Sequence, residues 1–362
     1  MIHRFFLVFH RWVALAATIV ILVVSLSGSA LVFEGAMDRG MHPELWRVTP
    51  GATVLSLDTI LARAHAAVPK SPVTGVTISP VPDRAYLVQA GGTQVFVDPY
   101  AGSVRGTRTI AEWNATLPRR LHVLHVTLLA SKIGGEIVAI ATIVSLLLVL
   151  SGVYIWWRDK IWRVRWSASW KRVVFDLHHS LGAIAAVVLV VITASGLVIH
   201  YGALNKLMYM LDRTPPPEML DQYEPLGVAP QISADSLYHI ALATLPGASV
   251  TFLSLPPKRD QPFTAAMRFP GDFTPGGRSR VMVDRYRGTV LLAASTRSAQ
   301  PGTRLANVLR SAHTGDLMGK PTEVVWLLAA LVLALQGVSG FLMWWNARAS
   351  RAALARAGRT AR

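Results

Sequence analysis

The sequence predicts an α-helical membrane protein, with four transmembrane helices and two α+β domains outside the membrane in a tandem parallel repeat. Three observations carry that prediction. Four runs without Lys, Arg, Asp or Glu, at 13–33, 137–157, 181–201 and 324–345, each hold about 20 residues, enough to cross roughly 30 Å of hydrocarbon as a helix. Between them lie two blocks of about 100 residues that are polar enough to fold in water. Four histidines also recur at matching places. The interval from His10 to Gly28 equals that from His178 to Gly196, and the interval from His125 to Gly152 equals that from His313 to Gly340. Trp156-Trp157 and Trp344-Trp345 follow at equivalent positions.

Hydrophobic residues make up 52% of the chain, above the range of ordinary soluble domains. The absence of cysteine excludes disulfides, thiolate metal sites, iron–sulfur clusters and the thioether attachment of c-type haem. A net charge of +16 would suit a nucleic-acid partner, but its placement argues against one. The link between the second and third runs carries Arg158, Lys160, Arg163, Arg165, Lys171 and Arg172, and the tail carries Arg348, Arg351, Arg356, Arg359 and Arg362 with no acid. Short basic segments mark the cytoplasmic side. Both termini and the 159–177 loop are therefore expected inside and the two large blocks outside, with Arg4 and Arg11 in agreement. The first run is longer than a signal-peptide core and its repeat counterpart is internal, so it reads as a retained helix.

The expected order is transmembrane helix 1 (1–34), a first outer domain (35–118), and an outer interfacial segment with transmembrane helix 2 (119–158). A cytoplasmic basic loop (159–177), transmembrane helix 3 (178–202) and a second outer domain (203–309) follow. An outer interfacial segment with transmembrane helix 4 (310–346) and a cytoplasmic basic tail (347–362) complete the chain. Within the first domain, 55–68 has apolar residues at helical spacing, and strands are expected at 73–81, 85–91 and 93–106. The second domain repeats the order: a helix over 232–245, then strands at 248–255, 264–269 and 280–293. Asp98 and Gly102 in VDPYAG match Asp284 and Gly288 in VDRYRG, ordinary turn chemistry to which a structural role is assigned. Pro215-Pro216-Pro217 and the stretch to about Pro230 read as a linker.

The segments LHVTLL, DLHHSLG and SAHTGDLMG, each ahead of a Gly-aromatic exit, resemble the PepSY-associated transmembrane helix family, and the VDPYAGSV-type hairpins resemble PepSY domains. Within that family the chain is most similar to inner-membrane ferric-siderophore reductases. The resemblance covers nearly the whole chain. It implies two b-type haems, periplasmic outer domains and a bacterial inner-membrane location.

Histidines beside membrane spans are functional candidates, because polar groups are costly there. His10 and His178 sit near the cytoplasmic ends of their helices, and His125 and His313 precede spans on the outer side. Repeat symmetry therefore pairs His10 with His178 and His125 with His313, each pair suited to hold haem iron through neutral imidazole. The outer pair is expected at or just above the membrane surface, unless its flanking stretches fold back. Arg11, Arg119, Arg120 and Arg310 flank these histidines as propionate partners or interfacial anchors. Second-choice ligands are His200, His122 and His179; His179 points about 100° from His178 on a helix. Gly182 stands where the first copy has Ala14, and a small residue there lets a planar cofactor or, the favoured reading, a neighbouring helix approach closely.

Two readings follow. In the first, the protein is an oxidoreductase, a ferric-chelate reductase that passes electrons from a cytoplasmic or quinone donor through two b haems to a periplasmic ferric siderophore. Arg278, Arg280 and Tyr286 would then face the anionic chelate. In the second, a non-redox membrane-anchored module binds or regulates a periplasmic partner. No phosphate-binding or dinucleotide motif is present.

Overall fold

The computed structural model describes residues 1–210, 213, 219–225 and 230–360. Pro215-Pro216-Pro217 and half of the expected linker lie outside them. The chain begins with α1 (Ile2–Leu31), α2 (Glu34–Met41), α3 (Pro43–Trp46) and α4 (Leu57–Ala67). Strands β1 (Val73–Thr77), β2 (Tyr86–Ala90), β3 (Thr93–Val97) and β4 (Val104–Thr109) follow. Next come α5 (Ile110–Ala115), α6 (Leu117–Thr127), α7 (Ser131–Asp159), α8 (Trp170–His200), α9 (Asn205–Tyr209) and α10 (Ala234–Thr244). The last elements are β5 (Ser249–Ser254), β6 (Phe263–Arg268), β7 (Ser279–Val283), β8 (Val290–Ala294), α11 (Pro301–Thr314) and α12 (Lys320–Thr360). They form two compact units. One comprises Met1–Phe33, Arg120–Ala203 and Leu309–Arg362, the other Glu34–Arg119 and Leu204–Val308.

The first unit is built on α1, α7, α8 and α12, each with a stretch long and apolar enough to cross a bilayer. Helix α1 packs on α7 and α12, and α8 packs on the same two, so the four close into a ring with α1 and α8 on one diagonal. Small residues such as Ser25, Ser145, Ala139 and Ala185 are buried, while Ile19, Ile140, Ile184 and Val187 face outward. This inverted pattern suits lipid, where close backbone approach supplies the packing energy that water would otherwise drive. Buried hydroxyls return to their own helices: Ser145 donates to the Ala141 carbonyl at 2.7 Å and Thr193 to the Leu189 carbonyl at 2.7 Å.

Three boundaries differ from the sequence expectation. Helix α8 begins at Trp170 instead of 178, because the charge in its first turns is neutralised internally. Asp176, wholly buried, accepts from Arg165 Nε at 3.0 Å and from Arg172 Nη2 at 2.9 Å. The basic loop is correspondingly shorter. Helix α12 runs to Thr360, so the helix of the fourth span continues into the expected tail. The stretches before α7 and α12 do fold back. Leu128, Leu129 and Ser131 take positive φ between α6 and α7, and Gly315 and Gly319 do so between α11 and α12. Gly134 then lies directly on the Thr127 carbonyl, where a Cβ has no room.

In the second unit the two expected α+β domains are halves of one eight-stranded antiparallel sheet, ordered β4-β3-β2-β1-β5-β6-β7-β8. Strands β1 and β5 join them, with Gly75 opposite Ser254 and Thr77 opposite Phe252. Helices α4 and α10 share one apolar core with Val76, Val88, Val95, Leu253, Met267, Val281 and Val283. Wholly buried Ile60 and Leu237 each contribute about 1.5–3 kcal/mol through that burial. The tight turns have the anticipated structural role. Asp98 accepts from the Tyr100 and Ala101 amides, Asp284 accepts from those of Tyr286 and Arg287, and Gly102 and Gly288 take positive φ.

The join is reinforced by reciprocal capping. The Asp235 carboxylate accepts from the Leu57 amide at 2.8 Å and the Asp58 amide at 3.1 Å, while Asp58 accepts from the Ala234 amide at 2.9 Å. Each helix thus caps the other's N-terminus, where unpaired amides and the positive end of the helix dipole favour a carboxylate. Partial burial pushes the Asp235 carboxyl up, but the hydrogen bonds it accepts, those of the Asp58 and Leu57 amides among them, outweigh it and hold it below its ordinary value.

Asp58→Ala and Asp235→Ala should each cost about 1 kcal/mol of stability, and the double variant should cost less than their sum. Because the folded Asp235 carboxyl is more acidic than the unfolded one, its stabilisation is present above the ordinary aspartate value near ~3.9 and lost as pH falls below it. Denaturant titrations across that acid range should lose this dependence in Asp235→Ala; an unchanged acid dependence would refute the capping role.

Candidate functional site

The four-helix ring brings the predicted histidines together in the predicted pairs. The His10 and His178 rings lie 6.4 Å apart between centres at 88°, and those of His125 and His313 lie 6.1 Å apart at 42°. His10 and His178 project from the diagonal helices α1 and α8. His125 and His313 come from α6 and α11, which turn back so that their rings reach carbonyls within α1 and α8. The outer pair therefore sits inside the ring at the depth of Val24 and Ile192, about two turns before the ends of those helices. The surface placement expected from sequence is corrected by the fold-back.

Each imidazole is held by Nδ1. His125 Nδ1 lies 2.9 Å from the Val24 carbonyl and His313 Nδ1 lies 3.0 Å from that of Ile192. A carbonyl only accepts, so Nδ1 carries a proton, and in the neutral ring Nε2 keeps its lone pair. His10 Nδ1 meets Ser151 Oγ at 2.9 Å, and His178 Nδ1 meets Ser339 Oγ at 2.8 Å. Those hydroxyls already donate, Ser151 to the Leu148 carbonyl and Ser339 to that of Leu335. They therefore accept from the histidines, and the same tautomer follows. All four rings are left with Nε2 available as a donor of electron density to a metal.

A glycine makes room for each ring. A Cβ built on Gly28 would lie 2.8 Å from His125 Cε1, one on Gly196 2.9 Å from His313 Cε1, one on Gly152 3.3 Å from His10 Cε1, and one on Gly340 3.5 Å from His178 Cε1. These are the glycines whose spacing from the histidines marks the sequence, yet each serves a histidine from another helix. Every one is preceded by a serine: Ser27, Ser151, Ser195 and Ser339. At the inner pair that serine accepts from the imidazole. At the outer pair it donates to the carbonyl that the imidazole also uses, Ser27 to Val24 at 3.1 Å and Ser195 to Ile192 at 3.1 Å. The recurring Ser-Gly dipeptide was the sequence signal for these partners.

The remaining candidates have other partners, although the His179 ring also lies 5.8 Å from that of His178. His200 Nε2 is 3.7 Å from Glu136, and its ring meets Tyr201 edge-on. His179 donates from Nδ1 to the Phe175 carbonyl and lies 4.1 Å from the Phe175 ring. His122 is one turn before His125 on α6, half-buried. Arg11, Arg120 and Arg310 are exposed, and Arg11 lies over Trp12. Arg119 reaches Asn114 at 3.4 Å. Gly182 does not face another backbone; it faces the carboxamide of Gln336 at 3.4 Å.

The fold and the site thus define a membrane protein whose four-helix ring encloses two pairs of oriented, neutral imidazoles. The chain belongs to the PepSY-associated TM region family, whose pattern matches residues 7–347. No curated protein matches it.

The glycine contacts yield a graded expectation. A helical Gly→Ala change gains about 1 kcal/mol of propensity, while overpacking costs about 1–3 kcal/mol. Gly28→Ala and Gly196→Ala, with the tightest approaches, should lower the thermal midpoint in detergent. Gly152→Ala and Gly340→Ala should leave it nearly unchanged. The reverse ranking would show that the glycines do not seat the rings.

Proposed function

We propose that this protein is a di-haem b electron-transfer protein of the bacterial inner membrane, a reductase that delivers electrons to ferric iron held by a siderophore at the periplasmic face. The observation that carries this reading is the pair of neighbouring imidazoles in each layer, with every Nδ1 engaged and no Nε2 hydrogen-bonded among the described residues. A metal bound at about 2.0–2.1 Å from each of two imidazole nitrogens sets the ring centres about 6 Å apart, and the observed 6.4 and 6.1 Å fit that span. Among the described residues no group of three or more His, Cys, Asp or Glu converges on one point. Two neutral donors in apolar surroundings suit a group that brings its own equatorial ligands and charge balance, as haem does.

His10 and His178 would hold the inner haem, and His125 and His313 the outer one. Each bound haem supplies a one-electron couple. The chain's residues do the rest. Ser151, Ser339 and the Val24 and Ile192 carbonyls fix ring orientation and raise ligand basicity by accepting from Nδ1. The apolar ring excludes water and keeps the imidazoles neutral. The two layers are about 21 Å apart along α8, from His178 to Ile192. Electrons would enter at the inner layer from a cytoplasmic or quinone donor and leave from the outer layer to the chelate. Adding one electron to Fe(III) gives Fe(II), which hard oxygen ligands hold less firmly.

The basic placement of Arg158, Lys160, Arg163 and Arg348 supports cytoplasmic termini and a periplasmic sheet unit. The matching strand order on either side of the β1–β5 join supports the tandem parallel repeat. For docking of an anionic chelate, Arg280 has the suitable chemistry. Burial, and then the charge of Arg278, push its guanidinium below the ordinary value, and a bound anion would offset the Arg278 charge.

Purified protein should show the absorbance of low-spin b haem at two per chain. His10→Ala and His178→Ala should each remove about half of it and spare the outer layer, whereas His125→Ala and His313→Ala should remove the other half. His122→Ala and His179→Ala should remove none. A colourless preparation after haem supplementation would overturn the proposal and favour a non-redox module acting on a periplasmic partner.

A further inference from the structure

Gln336 lies within the apolar stretch of α12, one turn before Gly340, which faces the His178 ring. Its Nε2 is buried and has no hydrogen-bond partner among the described residues. An amide donor left in that condition inside an apolar ring is costly unless something accepts from it. The room it occupies is specific. A Cβ on Gly182, one turn after His178 on α8, would lie 3.4 Å from each of the Gln336 Cδ, Nε2 and Oε1 atoms.

The two halves of the chain differ here in concert. The register that carries His10 onto His178 carries Ala14 onto Gly182, and the register that carries Ser151 onto Ser339 carries Leu148 onto Gln336. One half has an apolar Ala/Leu couple, and the other has given up a Cβ on α8 and placed a carboxamide on α12. Ser339 ties the amide's own turn to the ligand, since its hydroxyl lies 2.8 Å from His178 Nδ1 and also contacts the Gln336 carbonyl at 3.3 Å.

We infer that Gln336 is a positioning residue of the inner site. Its free amide donates toward the group held by His10 and His178 and biases that centre toward its reduced form. This rests on the haem reading above. The positive end of an amide dipole favours an added electron, and hydrogen bonds and nearby dipoles are among the protein's levers on a haem potential. The amide donor has no counterpart on the His10 side, where Leu148 stands, so it acts on the inner centre from one flank.

The test is a spectroelectrochemical titration of the full chain in the His125→Ala background, which isolates the inner couple. Gln336→Leu installs the residue of the first half, and Gln336→Met keeps length and packing without the donor. Both should retain inner haem at the background level and weaken its reduction equilibrium about tenfold, a fall of 59 mV for a one-electron couple. If Gln336→Leu fails to load haem, Gln336→Met decides. Inner haem present with an unmoved potential in the loaded variants would overturn this inference and leave the ligand assignment intact. A wild-type protein that binds no haem would overturn both.

Discussion

Everything in the membrane unit depends on one requirement: an imidazole placed among apolar helices must have its N–H accepted and its ring accommodated. Both demands are met from neighbouring helices, so satisfying one histidine fixes the relation of two elements. His10 ties α1 to α7 through Ser151 and Gly152, and His178 ties α8 to α12 through Ser339 and Gly340. His125 and His313 anchor the two re-entering helices to α1 and α8. The same contacts that orient the rings therefore specify the packing. A register slip of either helix would break a hydrogen bond and close a ring-sized gap together.

In the sheet unit the equivalent constraint is electrostatic and entropic. Two helix N-termini meet, and each supplies the carboxylate that the other lacks. On the far face of the first half a different device appears. Asp38 and Arg108, both nearly inaccessible, pair at 2.7 Å, with Trp46 donating to the same carboxylate and the guanidinium lying 4.5 Å over Trp113. A buried ion pair of this kind stabilises little over an apolar replacement, but losing one partner strands a charge. It holds α2, α3 and α5 against the sheet by making any other arrangement costly.

Much of this was legible in the sequence because it rests on periodicity. Spans appear as uncharged runs, strands as alternation, turns as Asp and Gly at fixed offsets, and the histidine pairs as repeated intervals. What escaped depends on relations between distant segments. Nothing local marks β1 as the partner of β5, since an edge strand and an inner strand share the same alternation. The early start of α8 is hidden because Arg172 and Asp176 read as polar until their pairing with each other and with Arg165 is seen. The depth of the outer pair turns on whether its flanking stretches fold back, which the sequence leaves open because the left-handed residues Leu128 and Leu129 carry no glycine to announce a reversal. At Gly182 a neighbouring helix does approach, but that the contact is the Gln336 side chain of α12 has no local mark in the sequence.

The β1–β5 join has a consequence for how the chain is made. Its two strands are separated in sequence by two complete spans, so the first half of the sheet leaves the ribosome long before the second. Until Ser249–Ser254 arrive, Val73–Thr77 presents an open edge with a full row of unpaired amides and carbonyls, the kind of edge that recruits foreign strands. Assembly of the sheet must therefore wait for insertion of α7 and α8, and the nascent first half depends on that delay being short or on a holder that shields its edge.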